Sequence, residues 1–167
     1  MIPSLREAYN KQFSATKYAT FLTDLYGLYN HTPPFRIGET PVFIPDDFRD
    51  KLIKACNDIT DVITRPDFKE MTEGSMKDAN RVPNEDEHPQ FLVMDFGVCE
   101  DEKGKLTPKL IELQGFPSLY YFQNDLAELY KKHFDVPETM TPYFNGLDTE
   151  GYLNVLKEVI VGNSKPE

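Results

Sequence analysis

The sequence predicts an α+β protein, a small antiparallel sheet built on one hairpin and covered by helices. Two observations carry this reading. Apolar residues recur at three- and four-residue steps in four separate stretches. Only two stretches, 91–98 and 108–114, form strong β-rich apolar runs, and the charged turn "EDEKGKLT" joins them.

The elements follow in chain order. Ser4 and Glu7 match a capping box, so a short helix starts at Leu5. Ser14 is a natural N-cap for a helix over 15–29, whose stripe is Tyr18, Phe21, Leu22, Leu25, Leu28 and Tyr29. "HTPPF" ends it. The segment "FRIGETPVFI" (35–44) is short, β-rich and interrupted by Gly38 and Pro41. It predicts a strand at 41–44, at a sheet edge because of the proline. Asp46 caps an amphipathic helix bearing Phe48, Leu52, Ile53, Cys56, Ile59 and Ile63, which Pro66 stops. A turn of helix at 67–72 precedes a polar loop over 73–90, long enough to be a mobile functional segment. After the hairpin, Ser118 starts a helix with Leu119, Phe122, Leu126, Leu129, Tyr130 and Phe134 on one face. Asp148 caps the last helix, followed by the tail "GNSKPE". The organisation expected is a helical region 1–89 with a short edge strand and the loop, then a region 90–167 of hairpin and two helices, in one compact domain.

The 167 residues are 40% hydrophobic and 13% aromatic, enough to bury a core and unlike a disordered composition. A formal net charge of -10 and a pI near 4.8 argue against nucleic acid and against anionic membranes as partners. Cys56 and Cys99 show no pairing pattern, and "MIPSLREAYN" is no secretory leader, so a cytoplasmic protein with reduced thiols is expected. No apolar run is long enough to span a bilayer.

The hairpin holds the residues of most chemical interest. If its turn centres between Lys103 and Gly104, Asp95 stands opposite Glu112, Val93 opposite Gln114 and Gly97 opposite Leu110. The other face then carries Leu92, Met94, Phe96 and Val98 against Lys109, Ile111 and Leu113. Opposed like charges destabilise a sheet. A cation between them, protonation of one, or plain solvation relieves this. Asp95, Glu112 and the Gln114 amide would offer three hard oxygens on one face, a set suited to Mg²⁺ with substrate phosphates. A solvated face with ordinary polar positions explains the same residues. Both strands are hydrophobic on both faces, as in a larger buried sheet.

Other candidates are weaker. His31, His88 and His133 are scattered without zinc spacing, and no Gly-rich phosphate loop occurs. Arg36, Arg65 or Arg81 could meet an anionic ligand near the acids, but surface ion pairs are the favoured reading. Gly115 and Pro117 shape a turn into the helix that Ser118 caps, and a helix N-terminus attracts anions.

"MDFG…KLIELQGFPSLYYFQ" resembles the metal-binding strand pair of circularly permuted ATP-grasp enzymes, the branch that includes glutathionylspermidine synthases. The likeness covers about residues 90–123. By position it implies Asp95, Glu112 and Gln114 as Mg²⁺ ligands, with Gln114 where the family has Asn and Val93 where it often has Arg. It also implies a hairpin belonging to a larger ATP-grasp-like sheet, and with bound ATP the helix N-terminus at Ser118 becomes the expected phosphate contact. The chain would then be a fragment or N-terminal portion of an ATP-dependent carboxylate–amine ligase, inactive alone. The competing expectation is a non-catalytic interaction or oligomerisation module, its hairpin covered by a second copy or by the remainder of a longer chain.

Overall fold

The computed structural model describes all residues except 85–87, 117, 163 and 165–167. Pro117, assigned above to the turn into a helix, lies outside the described residues, as do three positions of loop 73–90 and most of the C-terminal tail. The described residues form an α+β fold, with helices α1 (Pro3–Gln12), α2 (Ala15–Tyr29), α3 (Asp46–Ile63) and α4 (Phe68–Thr72), strands β1 (Val93–Glu100) and β2 (Leu106–Gln114), then α5 (Tyr120–His133) and α6 (Thr149–Val161). None of these helices is long and apolar enough to cross a membrane.

The chain divides into two compact units, one of Met1–Pro45 with Ser118–Glu167 and one of Asp46–Pro117. The first is built on an aromatic core. Tyr9, Phe21, Leu25, Phe43, Leu129, Tyr130 and Phe134 are all buried there. Phe21 stacks on Tyr130 with ring centroids 4.7 Å apart, and Tyr9 lies 4.8 Å from Phe134. Burying such a ring stabilises by roughly 1.5–3 kcal/mol. The stripe read from the sequence on α2 is real, but only Phe21 and Leu25 are fully buried. Ser14 caps α2 by accepting from the Lys17 amide at 3.2 Å, and Asp148 caps α6 by accepting from the Gly151 amide at 2.8 Å.

Residues 41–44 form no strand. Pro41 has no N–H to give, and no other strand lies in this unit among the described residues. The Ile2 amide donates to the Phe43 carbonyl at 2.7 Å. The residues just upstream are held instead by side chains. Tyr18 donates to the Ile37 carbonyl at 2.7 Å, Tyr130 to the Gly38 carbonyl, and Tyr9 to the Glu39 carbonyl at 3.0 Å. Three helices thus each send one hydroxyl to three successive carbonyls. Other sequence readings shift by a turn or less: α1 begins at Pro3, with Ile2 rather than Ser4 at the cap, and α3 begins at Asp46 itself.

Asn124, buried on α5, accepts from the Tyr143 hydroxyl, and Tyr143 stacks on Tyr152 at 4.9 Å. Thr149 donates to Glu128 at 3.0 Å. These bonds fix α6 and the loop before it to α5. At the end of α5, Asp24 accepts from Lys132 at 2.6 Å and lies 2.9 Å from His133 Nε2. Those two bonds hold its carboxyl below the usual range.

In the second unit α3 packs along β2, and Lys51 Nζ donates to the Leu106 carbonyl at 2.5 Å. Two single 3₁₀ turns, Glu73–Ser75 and Asp78–Asn80, give loop 73–90 some local order. An ion pair of 2.6 Å between Arg81 and Glu73 spans them.

Replacing Tyr130 with Phe removes the donor to Gly38, whose carbonyl can then meet water, and should cost about 0.5–1.5 kcal/mol in urea denaturation. Leu28→Ala, at an exposed position on α2, should stay within about 0.5 kcal/mol. Burial also raises the hydroxyl pKa values of Tyr9, Tyr18 and Tyr130 above the ordinary 10.0, that of Tyr130 to about 12. The folded state therefore keeps protons that the unfolded state gives up. This stability is complete below pH 10 and is lost as pH rises toward 12. Alkaline titration should leave a fraction of the nine tyrosines un-ionised until helical circular dichroism is lost. Ionisation of all nine before the loss of structure would contradict the burial.

Candidate functional site

The hairpin turn is set by Asp101. Its carboxylate accepts from the amides of Lys103 and Lys105, both at 2.9 Å, while Gly104 takes a left-handed φ of 72°. Those two backbone amides are the main cause of an Asp101 pKa below the usual carboxylate range. Asp101 and Lys105 close the loop through a backbone bond of 2.9 Å. The strands end at Glu100 and Leu106, so the turn centres on Lys103, half a residue earlier than the sequence suggests.

Near the turn the pairs are accordingly Glu100 with Leu106, Cys99 with Thr107, Val98 with Pro108, Gly97 with Lys109 and Phe96 with Leu110. A β-bulge then leaves Ile111 as the extra residue. Beyond it Asp95 pairs with Glu112, Met94 with Leu113 and Val93 with Gln114. The expected pairing of Gly97 with Leu110 is thus wrong, while the two pairs past the bulge stand as expected. A one-residue shift changes the face of every residue before the bulge. Lys109 therefore shares the acids' face, and Leu110 joins Met94, Phe96 and Val98 on the other. Ile111 leans over the face of Gly97: its Cδ1 would lie 3.7 Å from a Cβ added there, an ordinary contact.

Asp95 and Glu112 are solvent-exposed, and Gln114 is half-buried. Asp95, Glu112, Gln114 and Lys109 all occupy one face. This arrangement explains how opposed acids are tolerated: water screens them, and a lysine, Lys109, lies on the same face two pairs along. The same acids and the Gln114 amide could contribute oxygens to Mg²⁺, although the described residues hold no group of three His, Cys, Asp or Glu side chains fit for a metal.

Gly115 leaves β2 where Pro89 comes close, and a Cβ there would lie 3.0 Å from the proline Cβ. Ser118 belongs to the other unit and does not cap α5. That helix starts two residues later, with Leu119 at the cap in a left-handed conformation and no side-chain capping bond. A capping side chain must sit immediately before the first helical residue.

The remaining candidates have local partners. Arg36 pairs with Glu39, and Arg65 with Asp67 at 2.7 Å. Cys56 and Cys99 are half-buried free thiols, and burial raises the Cys56 pKa. His31 and His88 are exposed.

A feature absent from the sequence reading is an apolar cleft in the first unit, lined by Leu119, Phe122, Leu126 and residues of two loops. Those three positions belong to a helical stripe that reads as ordinary core, and nothing in the stripe itself distinguishes a lined cleft from a filled one.

The opposed acids set up a measurable coupling. Glu112→Gln should stabilise the fold by about 0.2–1 kcal/mol at low salt. The gain should shrink at high salt and grow when Lys109 is replaced by Met, as a double-mutant cycle by chemical denaturation would show.

No protein-family model, no curated protein and no solved structure matches the chain.

Proposed function

We propose that this chain is a non-catalytic interaction module that associates with a second copy of itself through the hairpin. One observation carries the reading. Val98, Leu110 and Leu113 stand 37–49% exposed on one face of a two-stranded sheet. Isolated hairpins are marginal, and open edges with apolar side chains invite pairing with another chain. An isologous contact would bury the same residues on both copies. Sedimentation of the wild-type chain should show a concentration-dependent dimer, and Leu110→Lys, at an exposed position of that face, should return it to monomer while leaving circular dichroism unchanged. A wild-type chain that stays monomeric at high concentration would sink the proposal.

The register favours a second reading, the portion of an ATP-grasp-like ligase suggested by the resemblance. Asp95, Glu112 and Gln114 share one face, as a Mg²⁺ site for ATP phosphates would require. Two carboxylates are within the usual protein contribution to Mg²⁺, phosphates supplying the rest. On this reading Mg²⁺ with ATP gives binding heat, and Asp95→Asn with Glu112→Gln abolishes it. Absence of heat from the folded wild-type chain counts against the ligase and leaves the interaction module standing.

A further inference from the structure

The apolar cleft in the first unit takes no part in either reading of the hairpin. Its volume is about 450 Å³, within the range of sites for small molecules. The floor is one face of α5 from Leu119 to Lys131, and the walls are 41–43 and 136–142. A helix rises about 18 Å over that stretch, so the cleft is a trough rather than a bowl. Its lining is apolar almost throughout. Even Tyr130 contributes only its ring, because its hydroxyl is bonded to the Gly38 carbonyl.

Lys131 is the one cation among the lining residues. Its side chain is only 25% exposed, so its methylenes lie against protein. Its ion-pair partner among the described residues, Glu138, is exposed and 3.7 Å away, too far for a hydrogen bond. The next two basic residues are engaged differently: Lys132 and His133 both contact Asp24 Oδ2 within 2.9 Å. Lys131 thus lines the cleft near the C-terminal end of α5, and its ammonium is held only by a loose ion pair with Glu138. Leu119 closes the opposite end in a left-handed conformation (φ 66°), rare for a residue with a branched side chain.

An elongated apolar trough ending in one ammonium complements a molecule with a long apolar body and one negative head. A peptide fits less well, since its backbone amides would meet walls that offer few hydrogen-bonding groups. We propose that the cleft binds a single-chain amphiphile bearing one carboxylate, its hydrocarbon along α5 and its head on the Lys131 ammonium.

The test is calorimetric titration of the whole chain with dodecanoate kept below its micelle concentration. One dodecanoate should bind per chain. Lys131→Met should weaken it about tenfold or more, the worth of one charge-assisted bond. Val42→Asp, at an exposed position on the cleft wall, should also weaken binding without disturbing the fold. Dodecyltrimethylammonium, with the same tail and the opposite charge, should bind far more weakly. Three results would overturn the proposal: no dodecanoate binding, binding unchanged in a folded Lys131→Met chain, or equal affinity for the cationic amphiphile. Folding of each variant is followed by circular dichroism, so lost binding is separable from lost structure.

Discussion

Three tyrosine hydroxyls on three successive carbonyls are the constraint on which the first unit depends. The segment before Pro45 has no strand to pair with, yet Ile37 and Phe43 are buried in an aromatic core. Ile37 is buried, and a buried carbonyl without a donor is costly, whereas Gly38 and Glu39 are exposed and their bonds fix the chain in place. Tyr9 on α1, Tyr18 on α2 and Tyr130 on α5 supply the donors. The same rings pack into the core, so one set of side chains excludes water and satisfies the backbone it encloses. The bonds also tie α1, α2 and α5 to one stretch of chain. That stretch leads directly into residues 41–43, a wall of the apolar cleft, which makes the cleft's geometry a consequence of the tyrosine bonds.

The second unit is governed by a different balance. Its sheet has two strands, and much of its apolar surface faces solvent. What order it has comes from local devices. Asp101 collects two turn amides, the bulge at Ile111 resets the register, and Lys51 reaches the Leu106 carbonyl. None of these covers the exposed apolar side chains. An open two-stranded sheet of this kind is under-packed for its sequence, and association is the ordinary physical remedy.

Sequence reasoning reached the helices most readily, because a three-to-four-residue apolar stripe and a capping Ser14 or Asp148 are local signals. It failed where the deciding partner is distant. Residues 41–44 look like a strand until one sees that their neighbours' carbonyls are taken by hydroxyls from three helices. Ser118 has the composition of a cap, yet the backbone turns left-handed at Leu119 and α5 starts later. The hairpin is the most instructive case. The sequence placed Asp95 opposite Glu112 by assuming a turn between Lys103 and Gly104 and a regular ladder. Asp101 instead centres the turn on Lys103, which displaces the register one way, and the bulge at Ile111 displaces it back. The pair of acids is therefore correct through two offsetting errors. Residues between turn and bulge keep the error, and Lys109 changes face.

That change of face matters for what the two surfaces can meet. The acids' face of the hairpin carries both signs of charge, Asp95 and Glu112 with Lys109, and it alternates across the strands with a face rich in apolar side chains. A two-fold contact uses the same patch on both copies, and the apolar face is the one whose burial favours association. The cleft on α5 is different in kind. It has one cation and no balancing acid within hydrogen-bond distance, so it cannot complement itself, and its apolar length asks for a chain-like body. In a molecule with a net charge of -10, long-range repulsion opposes both another copy and an anionic ligand. Each surface must overcome that field by short-range means, the hairpin by burying apolar side chains and the cleft by burying a hydrocarbon before the head group meets Lys131.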